Sequence, residues 1–531
     1  MQYPVEEFTP EERAALEPHF TNLDKPVFAL VNLPETVKGA LFARYSRYPG
    51  TLRRLFLDEF AGDMEAGVAR AYDGAEGERA RKLYENVFLG YGDDSVAQLG
   101  GAHVATEWVS NVLTKALQRG RLAAYLEQST RYIPYDGEMP GGGYRYWRDD
   151  SLGPQYTETM DFLFRTYSEA LARTEQWAAE RWPLAEGEPK GPWKRSIRAK
   201  ALDLLRGLLP ASSLSHVGIF GTGQAYEQML LRLLSSPLPE AREIGAMILT
   251  ELQKTMPSFV ARVDRPDRGG EWMSYLSERR EQADTWVHRL GLDRRDEADA
   301  GPSVRLLSVR GTEDDLLSAL LFEASSVSEA EARDAVRVLP PDERTRLLAD
   351  LVGERTNRRH RPGRGFEAVS YRFEIVSDYG AFRDLQRHRL LTVQWQTLGP
   401  DLGAGVPGEL AEAGVAGDYR AGLERSAAEY ERIRSDVSPE LAPYALCLGY
   451  RIRYVLDMNA REAMHLIELR SGREGHPGYR AVAHELHAQI AQTHPAIAAA
   501  MTFVDSETEP RLERILSEIR TQAKLTASGR A

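Results

Sequence analysis

Apolar residues recur at helical spacing along much of this chain. Thr51–Met64, Tyr156–Trp182, Tyr226–Leu234, Ala241–Met256 and Ala460–Leu469 each return an apolar side chain every three to four positions, which predicts amphipathic helices. Two stretches break that period. Val27 to Leu33 is a short apolar run, and Ala368 to Val376 alternates apolar with polar residues, so both predict strands. Strands and helices mixed within each half predict an α+β class. The charged stretch from Arg265 to Pro302 separates the halves, and Trp272 and Trp286 within it predict that it packs. The expected division is residues 1–270, a linker at 271–302, and residues 303–531.

The halves share more than pattern. Gln118-Arg119-Gly120-Arg121-Leu122 returns as Gln386-Arg387-His388-Arg389-Leu390. Arg232, Pro239, Arg242 and Pro257 return as Arg470, Pro477, Arg480 and Pro495, all 238 residues later. Ile244, Ile248 and Leu252 match Val482, Leu486 and Ile490 at the same offset, a helical stripe in both copies. Two matches in the same order point to an internal duplication. Its copies have diverged. The first keeps Glu127-Gln-Ser129-Thr-Arg131-Tyr132 after its motif but has Gly120 in place of a histidine. The second keeps His388 but ends in Gly399-Pro400.

Bulk properties narrow the classes. A net charge of −12 over 531 residues argues against nucleic-acid binding through bulk charge. One cysteine, Cys447, excludes an intrachain disulfide framework, fits a reducing compartment and reads as a buried thiol. No apolar run is long enough to cross a bilayer and no leader is visible at the start, so a cytoplasmic, membrane-free location is expected.

The candidate chemistry lies in the repeated segments. Arg387-His388-Arg389 is a compact cationic cluster suited to phosphate or a polarisable ring, although a solvated basic turn has the same composition. In an extended segment Glu127, Ser129 and Arg131 would share one face and suit a nucleotide monophosphate; a strand edge with a cross-face salt bridge is the alternative. Asn459 to Arg470 reads as one helix, with Asn459 as N-cap and Glu462 completing a capping box. Helical geometry aligns Asn459 with Leu466 and Arg470, and sets Arg461 beside His465 on another face. Together they could clamp a large anion. The first copy has Gly221 and Gly223 in place of Asn459 and Arg461. His484-Glu485-Leu486-His487 lacks the spacing of a zinc helix, and no metal site is expected. The run Arg355 to Arg364 reads as a charged loop before a strand, with contact to RNA or a cofactor diphosphate as alternatives.

Taken together, these residues resemble the flavin-dependent thymidylate synthase (ThyX) family, whose signature is RHRxxSxNExSxRY, followed by an N-x-R…L-R helix and preceded by H-x-S-x-x-E-H. The second copy matches through Arg387, His388, Arg389, Asn459, Arg461, His465 and Arg470. The first matches through Glu127, Ser129, Arg131 and Tyr132, through Ser95 in Asp94-Ser-Val-Ala97, and through Arg206 four residues before Pro210. Neither copy carries the whole motif. Ala116 and Asp384 stand where the family has glutamine three residues before the first arginine, and Gln98-Leu99 replaces the upstream Glu-His.

The resemblance implies two tandem ThyX-like repeats, each a mixed or antiparallel sheet flanked by helices, forming an internal pseudo-dimer, and a homodimer in place of the family tetramer. It implies FAD as cofactor, with dUMP, methylenetetrahydrofolate and NADPH as substrates of a reductive methylation to dTMP. Arg387, His388 and Ser129 would act at the reacting centre. Glu127, Ser129, Arg131, Arg206 and Arg470 would bind nucleotide, and Ser95, Arg387, His388, Arg389, Asn459, Arg461 and His465 the flavin. One composite site would join the nucleotide side of the first copy to the flavin side of the second. A catalytically inactive nucleotide- or flavin-binding sensor or scaffold is the alternative.

Overall fold

The computed structural model describes residues 3–33, 35–45, 47–61, 98, 100–139, 142–293, 301–508 and 512–527. They gather into two compact units. The first comprises residues 1–169, 208–296 and 424–447; the second comprises 170–207, 297–423 and 448–531. Each unit thus takes in a segment from the other half of the sequence. The first copy sends Arg206 with Ala170–Gly207 into the second unit.

Each unit holds one antiparallel four-stranded sheet, as the resemblance implies. In the first, β1 (Val27–Leu30), β2 (Gly101–Ser110), β3 (Ala123–Glu127) and β4 (Leu214–Thr222) are ordered β1-β2-β4-β3. In the second, β5 (Ser303–Arg310), β6 (Ser370–Asp378), β7 (Thr392–Trp395) and β8 (Arg451–Asn459) follow the matching order β5-β6-β8-β7. Both central pairs are long, with Gly101↔Thr222 and Ser370↔Asn459 at corresponding ends.

Burial follows the periods read from the sequence. In β8, Ile452, Tyr454, Leu456 and Met458 are buried while the residues between them are half-buried, so one face meets the core. β2 is buried on both faces from His103 onward. One face packs on the helices Gly223–Leu234 and Pro239–Thr255 through Val104, Val217, Ile219, Met229, Ile244 and Ile248. Phe20, Phe28, Tyr45, Leu55 and Phe56 form a second cluster with Ala105 of the same strand. Each such side chain, fully buried, contributes about 1.5–3 kcal/mol. The predicted helices form at Leu52–Glu59, capped by Thr51, and at Gly153–Arg181, Gly223–Leu234, Pro239–Thr255 and Ala460–Arg470. Residues 62–64 of the first prediction lie outside the described residues.

Two expectations change. The stretch after residue 265 is not packed through its tryptophans: it forms the helix Glu271–Arg289, none of whose residues is buried, with Trp272 and Trp286 about half exposed. The reason is composition, since charged residues fall on every face of that helix and one hydrogen bond, Arg280 Nη2 to the Ser235 carbonyl (2.6 Å), ties it down. The extended reading of Glu127 to Arg131 also fails. β3 ends at Glu127, and the Ser129 carbonyl accepts from the Tyr132 and Ile133 amides, closing a turn (3.2 Å each). Ser129 Oγ accepts from the Arg131 amide at 3.2 Å, the local side-chain bond that lets serine compete with a strand ladder.

Cys447 is fully buried, its thiol donating to the Leu208 carbonyl (3.2 Å), and burial pushes its pKa up to about 12. Among the described residues no helix is long and apolar enough to cross a membrane.

One buried acid in the first unit organises a helix start. Glu240 is 0% exposed; it accepts from the Ser110 amide (2.7 Å), the Ser110 hydroxyl (2.6 Å) and the Tyr444 hydroxyl (2.7 Å). Ser110 in turn caps the helix Asn111–Leu117. Burial raises the Glu240 pKa to about 7, against the lowering effect of these donors. The folded value lies above the unfolded one, so the stability tied to its proton is complete below about pH 4.5 and is lost as pH rises through 7. We expect thermal denaturation to show Glu240→Gln losing less stability than the unaltered chain between pH 5 and 8, by about 3 kcal/mol at most. Parallel curves for the two proteins would refute this role.

Candidate functional site

β6 and β8 deliver the second copy's motif residues to one place. β6 ends at Asp378, whose Oδ1 accepts from the Ala381 amide (2.8 Å) and starts the helix Tyr379–Leu385. Arg387, His388 and Arg389 lie in the turn between that helix and β7. β8 runs into the helix Ala460–Arg470 at Asn459, whose Oδ1 accepts from the Glu462 amide (2.9 Å). Half of the predicted capping box is present. The reciprocal half is not, because the Glu462 carboxylate turns away to His388.

His388 is the pivot. Its side chain is 4% exposed; Nδ1 lies 2.8 Å from Glu462 Oε1, and Nε2 accepts from Arg470 Nε at 3.1 Å. A guanidinium only donates, so Nε2 carries the lone pair and Nδ1 the proton. Burial, then the charges of Arg470 and Arg361, hold the His388 pKa well below the usual histidine range. His465, with its ring 5.3 Å from that of His388, is lowered to about 4, chiefly by burial, with His388, Arg361 and Arg358 adding to it and Glu462 opposing. Burial raises the Glu462 pKa. Both histidines are therefore neutral at pH 7.

Around this pair opens a cleft of about 250 Å³ lined by Arg361, Arg387, His388, Arg389, Leu390, Glu462, His465, Leu469 and Arg470. Four guanidiniums and one carboxylate make it an anion site. Its donor set fits the diphosphate of a flavin dinucleotide, with guanidinium forks for phosphate oxygens and Leu390 and Leu469 as apolar rim. His388, Glu462 and His465 also bring ligand atoms within 4.8 Å of one another. A dication there would face the surrounding arginines, and both His388 nitrogens are already engaged, so the chemistry favours an anion over a metal. His484 and His487 face the Asp505 and Ala498 carbonyls at 2.6 and 3.3 Å.

Arg206, carried into this unit from the first copy, sits at the end of the helix Lys190–Leu205, 4% exposed. Asp384 joins it to the motif: Oδ2 lies 3.2 Å from Arg206 Nη1, and Oδ1 3.7 Å from Arg387 Nη1. Arg461 does not line the cleft. It donates to the Pro362 carbonyl (3.0 Å) and pairs with Glu367 at 3.5 Å, holding the basic loop against the helix. Asn459 serves as cap, outside the cleft lining.

Glu127, Ser129 and Arg131 belong to the first unit. Glu127 is buried, and its Oε2 receives Lys115 Nζ (3.0 Å) and Gln118 Nε2 (2.9 Å). Ser129 and Arg131 are half-buried in the turn after β3. Ser95 and its neighbours Asp94, Val96 and Ala97 lie outside the described residues.

The sequence reading missed Arg361 and the bridging role of Asp384. The signal for Arg361 was the run Arg355 to Arg364. Within it Arg355 makes a buried two-pronged pair with Glu468 (2.7 and 2.6 Å) that anchors the loop, and Arg361 reaches the cleft.

The fold and site thus define a duplicated α+β protein with an arginine-rich cleft beside a neutral, doubly held imidazole. Residues 55–258 and 311–496 match the Thy1 family, thymidylate synthase complementing protein. The chain belongs to that family, the flavin-dependent thymidylate synthase (ThyX) family, as a tandem-duplicated, divergent member. It is 38% identical over 532 residues to a UPF0159 protein of Chlamydia muridarum, covering 97% of this chain and 99% of the relative. A UPF0159 protein of Thermoplasma acidophilum is 29% identical, covering 92% of this chain and 99% of the relative. Among solved structures, a UMP/dUMP methylase PolB from Streptomyces cacaoi, bound with 5-Br dUMP, is 19% identical. That match covers 39% of this chain and 98% of the methylase, at a TM-score of 0.31.

The held imidazoles make a direct prediction. In nitrogen-15 NMR, His388 is expected as the Nδ1–H tautomer, with neither His388 nor His465 titrating between pH 5 and 8. A titration near pH 6.5 for either ring would contradict the assigned arrangement.

Proposed function

We propose that this protein is a flavin-dependent thymidylate synthase-type methyltransferase, converting dUMP to dTMP with methylenetetrahydrofolate and NADPH at one composite site per chain. Residues 1–270 and 303–531 are the two ThyX-like copies, joined by 271–302, and the assembly is a cytoplasmic homodimer. The observation that carries the reading is the cleft: Arg361, Arg387, Arg389 and Arg470 converge on one small volume around a neutral His388. That donor set suits the charge and fork geometry of phosphate oxygens.

FAD, when bound and reduced by NADPH, would supply the hydride that brings the transferred methylene to the methyl level. The side chains bind and orient. Arg361, Arg387 and Arg389 take the phosphate charge, while Arg470 and Glu462 hold the His388 ring in one tautomer. Asn459, through the helix it caps, and Arg461, through the loop it ties, keep those arginines in place. Ser129 and Arg131 supply the nucleotide-side hydroxyl and guanidinium from the first copy, with Glu127 held by Lys115 to shape that turn. Ser95 completes the flavin side. The presence of Arg206 in the unit that holds the second copy's motif supports the composite reading, because it brings a first-copy arginine to Asp384, which also meets Arg387 of that motif.

One observation favours a second reading, a nucleotide- or flavin-binding protein without turnover. Asp384 stands where the family has glutamine and already occupies Arg206 and Arg387. Turnover separates the two. We expect Arg131→Ala and Arg387→Ala each to lower dUMP-dependent oxidation of reduced flavin by about 100-fold or more, a loss of binding and positioning together. Full activity in either variant removes the composite site. Flavin binding without oxidation in the unaltered chain favours the second reading.

A further inference from the structure

The helix Glu271–Arg289 buries no residue, yet its surface is ordered. At about 100° per residue, Tyr275, Trp286, Arg279 and Trp272 form one stripe down its length, with Ala283 and the C-cap Leu290 alongside. Glu278, Glu281 and Asp284 fall on the other half of the circumference. Met273, Leu276, Ser277 and Arg280 are half-buried and centred about 110° round from the stripe, and from Glu281 to Asp293 every residue is exposed. The fold thus leaves the stripe bare: Trp272, Tyr275, Trp286 and Leu290 are 48–61% exposed. Single exposed apolar residues are ordinary, but four in line are not, and tryptophan, tyrosine and arginine are the side chains that anchor protein interfaces.

Charge decides what fits the stripe. Arg279 lies over the Tyr275 ring (5.7 Å) and Arg289 over the Trp286 ring (4.6 Å), and among the described residues neither guanidinium pairs with a carboxylate, nor does Glu271 pair with a cation. Glu271 and Arg289 are 18 residues apart, about five turns or 27 Å, so they sit in line at opposite ends of one edge of the stripe. The stripe reads nearly the same from either end, with Trp272 and Tyr275 before Arg279, and Trp286 and Leu290 after Ala283. Its midpoint falls at the height of Arg280. Large apolar groups at both ends, flanked by opposite charges at matching heights, make this surface complementary to itself turned end for end.

We propose that a second copy of this chain docks on the stripe, its own Glu271–Arg289 helix packed antiparallel about a two-fold axis at the height of Arg280. Turned about that axis, Trp272 and Tyr275 meet the partner's Leu290 and the partner's Trp286, and Glu271 meets the partner's Arg289, each contact occurring twice. Parallel packing would set Glu271 beside the partner's Glu271 and put like charges together at both ends. Removing the apolar groups from water drives the contact, while the two exposed ion pairs, each about 0–1 kcal/mol, set the register. The acidic half of the helix and the net charge of −12 disfavour RNA or an anionic lipid surface as the occupant. The inference gives the proposed homodimer its contact surface and rests on that reading for the number of copies alone.

The test is sedimentation velocity on the full chain over a concentration series, with FAD binding followed by absorbance in the same samples. The unaltered chain is expected as a dimer, and Trp286→Glu should raise its dissociation constant by about 100-fold or more. No residue of this helix is buried, so the variant should keep its circular dichroism and its FAD binding. Glu271→Arg and Arg289→Glu should each weaken the dimer by about fivefold. The two together should restore it, which no contact within one chain could do across about 27 Å. Equal dimerisation in Trp286→Glu, or no restoration in the double exchange, overturns the proposal and leaves the homodimer itself standing. A monomeric unaltered chain overturns both, and its co-sedimentation with phosphatidylglycerol vesicles, lost in Trp286→Glu, would assign the stripe to a lipid surface. A dimer that responds as expected in a chain that binds no FAD removes the flavin reading and leaves this one intact.

Discussion

A single imidazole, buried and gripped at both nitrogens, fixes the geometry of the second unit's cleft. Arg470 donates to His388 Nε2 and Glu462 accepts from Nδ1, so the ring has one tautomer and one orientation. Arg470 and Glu462 lie two helical turns apart on Ala460–Arg470, and His388 lies in the turn after Tyr379–Leu385. The pair of bonds therefore locks a turn to a helix and fixes where Arg387 and Arg389 begin. A charged imidazole could not accept from Arg470, so the depressed His388 pKa is a condition of the arrangement as well as its result.

Charge is the second constraint. The chain carries a net charge of −12, yet Arg361, Arg387, Arg389 and Arg470 surround one small volume. Such a cluster holds together because carboxylates are interleaved with it. Asp384 lies between Arg206 and Arg387, Glu468 takes both prongs of Arg355, and Glu367 meets Arg461. The interleaving leaves the cleft face cationic while neutralising the arginines behind it, and it sets the competition an incoming phosphate must win at Asp384.

Much of this was legible in the sequence where period and repetition carried the signal. The alternation from Ala368 produced β6, the helical stripes produced Pro239–Thr255 and Ala460–Arg470, and the repeated motifs marked a duplication that two sheets of matching order display. Failures came where a local polar bond outweighed the pattern. Ser129 folds its own turn, and Glu462 leaves its cap for His388, a residue far away in sequence. The migration of Ala170–Gly207 into the second unit left no local trace, since long-range pairing is written in no single segment. Arg361 was visible only as part of a basic run, because nothing in its spacing separates a cleft arginine from the loop anchor Arg355.

The division of labour between copies is best tested by counting flavins. Equilibrium dialysis of the purified 531-residue chain against FAD, read by absorbance, should reach one flavin per chain, since the first copy has Gly120 where the second has the His388 that fixes the cleft. Two flavins per chain would mean that both copies kept a cofactor site, and none at saturating FAD would mean that the arginine cleft serves another anion; either result would contradict this account.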